Sequence, residues 1–403
     1  MTTIRIGRRA ALAAGVAALA SPAVVRAQGS GGTADPIKLA TLTPLTGAGG
    51  PYGPVMAKAA ASVVEQVNKA GGVLGRRIVL VSEDDQTNPE AAVRAARKLI
   101  DVDKVSAIMG TWASSVTTAV APLCWESKTF LCTVSGADSI TLLPHQGFLI
   151  RTQPNSRLQV TRVGEFILSL GAKKAFTMIP QTPFTQSTFD TLNQVLPKGG
   201  CTHQSLIYDD KKTTYRTEVD QALRSSPDVV LANGYTPDTV VLLKDLYRAG
   251  FKGKVLGFAY SINQKLVDQV GQPEVVEGVY TFAPSPAEGS AAFEKAKAAS
   301  GSANPDPYTC QVYDHINLVL MAIANGKAAT GEAIKENIRK ATGSGGKVVD
   351  NAVDGIKEIM AGGKVDYAGA SGPCDFDEKG DILDCKFRYE QIKAGKFTLV
   401  KIA

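Results

Sequence analysis

The chain has 403 residues, 44% of them hydrophobic and 20% charged, a length that exceeds one ordinary domain and suits two α/β domains with sizeable cores. The formal net charge is +6, but four of the 44 basic residues and none of the 38 acidic residues lie in residues 1–27, so the remainder carries only +2. This small charge gives no reason to expect nucleic acid or an anionic membrane as a partner.

Residues 1–27 have the features of a cleaved secretory signal: arginines, no acid, and an alanine-rich apolar run from Ala10 to Val25. The pair Arg8-Arg9 resembles a twin-arginine signal, with an ordinary secretion signal as the alternative. No cysteine lies near the cleavage point, and no later apolar run approaches the roughly 18 residues that span a bilayer. We therefore expect an exported periplasmic protein, soluble after signal cleavage and without a lipid anchor.

Short apolar, β-branched runs alternate with longer segments of helical periodicity, which is typical of parallel sheets with crossover helices. The predicted strands are 37–44, 77–84, 105–111, 129–135, 147–152, 174–180, 203–208, 228–234, 254–260 and 278–283. Helices are predicted between them, including 54–70 and 88–101, then across 286–362, and the last forty residues are predicted as turns and a hairpin. Ten strands exceed the eight of a barrel, so we predict two doubly wound α/β sheets with several crossings between them.

Ligands of open α/β sheets bind beyond the carboxyl ends of the strands, so the loops at those ends are the candidate sites. The first loop, 43–53, is rich in glycine, but Tyr52 stands where a dinucleotide-binding loop has its third glycine. No phosphate-binding lysine follows it. We therefore expect no nucleotide cofactor.

Two neighbouring loops predict a small anion site. The loop 110–115 leads into a helix that Ser114 or Ser115 can cap, and the loop 134–138 follows the adjacent strand. A hydroxyl and unpaired backbone N–H groups at a helix start suit a carboxylate. Serines that only cap the helix are the structural alternative.

Aromatic residues lie at the ends of three predicted strands of the other half: Phe184, Tyr235 and Tyr260. Rings at loop tips are costly to expose unless they cover something. They can close a ligand site or, as the alternative, pack into the core.

All six cysteines follow the signal segment, and an oxidising compartment would permit disulfides. Cys374 and Cys385 lie symmetrically about Lys379-Gly380, as expected for opposite positions of a hairpin, and are the predicted pair. Cys124 and Cys132 are a weaker candidate pair. The other two cysteines are expected to be free and buried.

An enzyme is the competing function from another class, and the sequence offers it little support. The three histidines form no zinc-binding HExxH, and there is no GxSxG nucleophile motif. The run Asp375–Gly380 is similar to a calcium loop, but Lys379 occupies a ligand position. We expect a solvated turn there, no metal and no catalytic residue.

Five segments together resemble the periplasmic binding proteins of branched-chain amino acid ABC importers, the leucine/isoleucine/valine-binding family. They are IKLATLTPLTGAGGPYG, VNKAGGVLGRRIVLVSEDDQTNPEAAV, VSAIMGTWASS, DVVLANGY with the following Pro237, and DFDEKGDI. The resemblance covers essentially the whole chain after the signal.

This resemblance implies a type I periplasmic binding protein fold, in which two doubly wound lobes joined by a multi-segment hinge trap a ligand between them. The first lobe would comprise 35–155 and 281–370, and the second 156–280 and 371–403. The implied partners are a small carboxylate ligand and the membrane permease of an ABC importer, with the protein itself a monomer. A receptor that reports the ligand to a sensor is the alternative within the same fold.

Carried over by position, the resemblance places eleven residues at the ligand: Tyr52, Trp112, Ser114, Ser135, Gly136, Ala137, Phe184, Tyr235, Ala259, Tyr260 and Tyr308. Two of these depart from the amino-acid binders. Ala137 replaces a threonine, and Ala259 replaces the glutamate that holds the ligand ammonium. An ammonium desolvated without its carboxylate partner would cost roughly several kcal/mol. An aromatic or aliphatic acid lacking the amine is therefore slightly favoured over a branched-chain amino acid.

Overall fold

This computed structural model describes residues 35–343 and 345–403. The signal predicted at 1–27 therefore lies outside the described residues. The described strands form two open sheets and one short ladder of two strands. All ten strands predicted from the sequence are present, so the interpretation as two α/β sheets is confirmed. None of the helices in the described part of the chain has the length and apolarity that a membrane crossing requires.

The first sheet contains five parallel strands: β1 (Ile37–Thr43), β2 (Ile78–Asp84), β3 (Ala107–Thr111), β4 (Phe130–Thr133) and β5 (Leu149–Arg151). Their order is β2-β1-β3-β4-β5. Strands β3 and β4 are buried along their whole length, as expected for a sheet that helices cover on both faces. The helices between these strands are α1 (Gly53–Lys69), α2 (Pro89–Arg97) and α3 (Ser114–Glu126).

The second sheet contains seven strands, and the chain enters it through α4 (Ser156–Ser169). The strands are β6 (Lys174–Pro180), β7 (Thr202–Tyr208), β8 (Val229–Ala232), β9 (Lys254–Phe258), β10 (Tyr280–Pro284), β13 (Phe387–Lys393) and β14 (Lys396–Ile402). Their order is β14-β13-β10-β9-β8-β6-β7, and β13 and β14 form an antiparallel hairpin at one edge. The intervening helices are α5 (Pro183–Val195), α6 (Arg216–Leu223), α7 (Thr236–Arg248), α8 (Gln264–Val270) and α9 (Pro273–Val276).

Four helices that follow β10 pack into the core of the first sheet. They are α10 (Ala291–Ser300), α11 (Pro307–Gly326), α12 (Gly331–Asn337) and α13 (Ala352–Met360). Helix α11 is buried at 17 of its 20 positions, which identifies it as a core helix. Two short strands, β11 (Lys347–Val349) and β12 (Val365–Tyr367), pair in parallel, so the stretch predicted as helical also contains a strand.

The chain passes between the two sheets three times: after β5, after β10 and between β12 and β13. The several crossings predicted from the sequence are therefore present. Strand β10 lies in the seven-stranded sheet, so the second crossing begins after Pro284. The exact boundaries of the two lobes stay a prediction.

The predicted disulfide between Cys374 and Cys385 is wrong, because all six cysteines are free, including the weaker candidate pair. Phe376 faces Ile382 across the turn, one residue away from the predicted pairing. In a β-type pairing, a shift of one residue turns a side chain to the opposite face. Cys374 accordingly packs in the core around the first sheet, whereas Cys385 packs against a core of the second.

Candidate ligand-binding site

A cavity with about 620 Å³ of empty space, part of it open to solvent, lies where the strand ends of both sheets meet. The first sheet contributes the loops after β3, β4 and β5, and the second contributes those after β6, β8 and β9. Open α/β sheets bind ligands at this edge. The lining residues are Trp112, Ala113, Ser114, Ser115, Val134, Gly136, Gln153, Gln159, Ile179, Pro180, Thr182, Phe184, Gly234, Tyr235, Tyr260 and Tyr308.

Ser114 and Ser115 line this cavity as the first two residues of α3, and neither caps the helix. The N-cap is Ala113, and no side chain caps this helix end, which corrects the expectation that one of the serines does so. The first helical hydrogen bond runs from the Thr117 N–H to the Ala113 carbonyl. The N–H groups before Thr117 therefore lack helical partners, and they lie at the positive end of the helix dipole.

The loop Ser135–Ala137 after β4 has all three of its carbonyl oxygens bound by protein donors. Arg151 Nη1 donates to the Ser135 carbonyl at 3.3 Å and to the Ala137 carbonyl at 2.6 Å. The Ser156 N–H donates to the Gly136 carbonyl at 2.7 Å. Among the described residues, the Gly136 N–H has no acceptor, and Gly136 lines the cavity. A loop with occupied acceptors and a free donor favours an anionic ligand over a cationic one.

Two residues predicted to contact the ligand, Ser135 and Ala137, are fully buried and do not line the cavity. The Ser135 hydroxyl donates to the Trp112 carbonyl at 2.8 Å and lies 2.6 Å from the Thr117 hydroxyl. The Ala137 N–H donates to Ser114 Oγ at 3.2 Å. These two residues fix the loop and orient the serine that reaches the cavity.

Arg151, at the end of β5, lies fully buried behind this loop and pairs with Asp381 of the third crossing. Arg151 Nη2 lies 2.6 Å from Asp381 Oδ1, and Arg151 Nε donates to the same oxygen at 2.8 Å. The Thr141 hydroxyl accepts from Arg151 Nη2 at 3.1 Å and donates to Asp381 Oδ2 at 3.0 Å. Sequence reasoning missed this pair, although a basic residue that ends a buried apolar strand was a usable signal.

Four tyrosine rings, from loops of both sheets and from α11, meet around Trp112. Its ring centroid lies 5.6 Å from that of Tyr52, 5.6 Å from Tyr235, 6.1 Å from Tyr260 and 5.8 Å from Tyr308. Two of these pairs are tilted and two are edge-on, and aromatic quadrupoles favour such arrangements over a face-to-face stack. Burial raises the pKa of Tyr235 to about 12, so its hydroxyl stays neutral at physiological pH. The cluster gives the cavity apolar walls that suit a flat or branched hydrocarbon group.

Phe184 reaches across from the second sheet and lies directly against Gly136 of the first. A Cβ atom at Gly136 would lie 2.9 Å from Phe184 Cε2 and 3.1 Å from Gln159 Nε2. The absence of a side chain at Gly136 therefore permits this contact between the two halves.

A row of three buried glutamines was also missed from the sequence. Gln311 Nε2 donates to Gln153 Oε1 at 2.7 Å, and Gln153 Nε2 donates to Gln159 Oε1 at 3.2 Å. Gln153 and Gln159 line the cavity. Gln153 lies two residues after the end of β5, so the strand-end rule could have found it, whereas the other two come from helices whose placement only the tertiary fold determines.

Ala259 and Tyr52 lie outside this cavity and line a second one beside it. The Tyr52 hydroxyl donates to the Ala259 carbonyl at 3.4 Å and accepts from Asn263 Nδ2 at 3.0 Å. Tyr260 and Tyr308 line both cavities. The predicted residues therefore fall into three groups: those at the first cavity, those at the second, and the two that support the loop.

Among the residues that the structure describes, none that lines the first cavity carries a charged side chain. In residues 35–343 and 345–403, no three His, Cys, Asp or Glu side chains come together as metal ligands would. The cavity offers hydroxyl and N–H donors to an anion, but it offers no carboxylate to an ammonium.

Residues 36–366 match the sequence profile of a family described as periplasmic binding protein. A leucine-, isoleucine-, valine-, threonine- and alanine-binding protein of Pseudomonas aeruginosa is 24% identical over 377 residues, which cover 91% of this chain and 93% of that protein. The structure of the leucine-binding protein LivK from Thermotoga maritima superposes with a TM-score of 0.77 at 22% identity, over 91% of this chain and 98% of LivK.

An ABC transporter solute-binding protein from R. palustris in complex with benzoate superposes with a TM-score of 0.73 at 18% identity, over 91% of this chain and 96% of that one. These solved structures have the same fold as this chain, with the two-sheet architecture described above. Since the family profile spans most of its length, this chain belongs to the periplasmic binding protein family and has the type I periplasmic binding protein fold.

Proposed function

We propose that this chain is the periplasmic substrate-binding component of an ABC importer, and that it captures a small carboxylate between two closing lobes. Its family consists of solute-binding proteins, and one structural neighbour is the solute-binding protein of an ABC transporter. The inference that the ligand is a carboxylate rests on the cavity wall formed by the start of α3 and the Gly136 loop. That wall presents free donors while its carbonyl oxygens are already bound.

The ligand is an acid without an amine. An α-amino acid brings an ammonium beside its carboxylate, and no carboxylate lines the first cavity to pair with it. Ala259 occupies the position at which the family resemblance places the partner of the ammonium. A buried and unpaired ammonium costs roughly several kcal/mol, which offsets most of what a small ligand gains by binding. The benzoate complex of the R. palustris neighbour is compatible with an acid of this class.

Binding proceeds in two steps in this proposal. The carboxylate first meets Ser114 and the Gly136 N–H on the first lobe, which are accessible while the cleft is open. Phe184 and Tyr235 of the second lobe then close over the apolar part of the ligand and exclude water. The closed surface is what the permease recognises, so the ligand shifts the population toward the form competent for transport.

Calorimetric titration of leucine and 4-methylpentanoate tests the ligand class, because the two compounds differ only by the ammonium group. We expect 4-methylpentanoate and benzoate to bind at least a hundredfold more tightly than leucine, which corresponds to about 2.7 kcal/mol. Micromolar binding of leucine without binding of the amine-free acids would show that the ammonium has a partner. The proposed ligand class would then be wrong.

A further inference from the structure

The second cavity is a neighbour of the first and contains about 500 Å³ of empty space, part of it open to solvent. Its lining residues are Tyr52, Gln159, Phe258, Ala259, Tyr260, Asn263, Phe282, Ala283, Pro284, Asp306, Pro307 and Tyr308. Residues of both sheets and of α11 contribute to it, so it belongs to the same cleft. Nine of its twelve lining residues are apolar or aromatic, which predicts an apolar occupant.

Three side chains line both cavities and form the partition between them: Gln159, Tyr260 and Tyr308. They come from α4, from the loop after β9 and from the first turn of α11. Because these three residues come from separate elements, we expect side-chain rotation, without movement of a whole segment, to join the two spaces.

Of the two rings in the partition, Tyr260 is held more firmly than Tyr308. Its hydroxyl accepts from Asn233 Nδ2 at 2.5 Å, and its ring stacks on Phe258 with an interplanar angle of 20°. Tyr308 contacts Trp112 and Tyr52 edge-on. We therefore expect Tyr308 to be the ring that moves when a ligand extends from one cavity into the other.

The polar side chains of the second cavity already have protein partners. Asp306 accepts from the N–H groups of Tyr308 and Thr309 as the cap of α11. Asn263 caps α8 through Oδ1 and donates from Nδ2 to the Tyr52 hydroxyl. A polar ligand group placed there would lose its hydration and gain few hydrogen bonds in return.

The two cavities therefore differ in chemistry: the first has free donors on one wall, and the second has apolar walls with occupied polar groups. We propose that the second cavity is an apolar subsite of the ligand cleft. It takes the hydrocarbon or aryl end of an elongated monocarboxylic acid whose carboxylate lies at the start of α3. This inference rests on the proposed function, because it assumes that the first cavity binds the acid group.

A series of phenyl-substituted acids tests the subsite by calorimetric titration. Benzoate places its ring beside its carboxylate, whereas 5-phenylpentanoate carries the ring at the end of four methylenes and, in our proposal, places it in the second cavity. Each methylene buried from water is worth about fourfold in affinity. We expect 5-phenylpentanoate to bind the wild-type protein at least tenfold more tightly than benzoate.

Filling the second cavity should remove that gain selectively. Ala283→Leu places a larger side chain in the cavity from β10, and we expect it to abolish the preference for 5-phenylpentanoate while changing benzoate affinity less than threefold. Ala249→Leu, at an exposed position after α7, is the matched control and should change neither affinity. Ala283→Val fills less of the same cavity and serves if Ala283→Leu fails to fold.

The possible results test the subsite and the proposed function independently. If benzoate binds but 5-phenylpentanoate binds no better, the proposed function stands and the subsite is overturned. The same holds if the cavity-filling variants weaken both acids equally. If no acid of any length binds the wild-type protein, both proposals fail.

Discussion

Replacing Arg151 with methionine tests whether the buried ion pair supports both the fold and the ligand loop. Methionine keeps an apolar chain of similar reach but removes the guanidinium. The Asp381 carboxylate would then stay buried without its cation, since Asp381 is only 7% exposed. The carbonyls of Ser135 and Ala137 would also lose the donor that holds them at 3.3 and 2.6 Å.

The size of the effect follows from what the variant leaves behind. Removing one partner of a buried ion pair costs about 3–5 kcal/mol, because the other charge remains uncompensated. We expect Arg151→Met to lower the free energy of unfolding by this amount. In the double variant with Asp381→Leu no charge is left unpaired, so more than half of the lost stability should return. A replaced buried pair can be close to neutral.

Urea unfolding followed by tryptophan fluorescence measures these differences. Arg162→Met is the matched control on α4, because Arg162 pairs with Glu165 at 3.0 Å while both side chains are 43–52% exposed. An exposed pair contributes about 0–1 kcal/mol. Equal losses in the two single variants would refute the view that the Arg151 pair stabilises this part of the fold. A double variant no more stable than Arg151→Met would refute the role given to the uncompensated carboxylate.

Three further predictions concern the cleft and pH. Ser114→Ala should weaken benzoate binding by about 1–3 kcal/mol in calorimetry without unfolding the protein, because Ser114 does not cap α3 and its loss leaves only the Ala137 N–H without an acceptor; unchanged affinity would remove it from the site. Gly136→Ala should weaken binding about tenfold by pushing Phe184 away, and a more open shape in X-ray scattering would accompany this. Burial raises the pKa of Asp85 from 3.8 to about 7, so its proton is bound more tightly in the folded state and stability falls as pH rises between those values. Asp85→Asn should remove that part of the fall, measured as melting temperatures at pH 4 and 8.

The sheet architecture could be predicted because its signals are local. Each buried parallel strand is a short apolar run bounded by turn residues, and all ten such runs form strands. The strand-end rule then identified the loops that line the first cavity, including Ser114, Gly136 and Tyr235. These predictions need only the chain order and the direction of the strands, and the sequence contains both.

The failures share a different cause, since each depends on an orientation that local sequence leaves open. The Cys374–Cys385 pairing failed by one position of register, which is enough to send the two side chains to different cores. Ser135 and Ala137 flank Gly136, yet only the glycine lines the cavity. The Gln311–Gln153 hydrogen bond joins residues 158 positions apart, so no pattern within one segment could have indicated it.

The structure also links the proposed ligand site to the connection between the lobes. The Arg151 guanidinium donates to the carbonyl oxygens of Ser135 and Ala137 in the Gly136 loop, and it pairs with Asp381 in the third crossing. The backbone N–H of Arg151 also donates to the Gly380 carbonyl, at 2.8 Å. The loop whose donors we propose face the ligand and the segment that leads into the second sheet are therefore both held by Arg151. Because Arg151 contacts both segments, we expect substitutions in the third crossing, such as at Asp381, to change ligand affinity in calorimetry. Among the described residues, none of this crossing lines the first cavity.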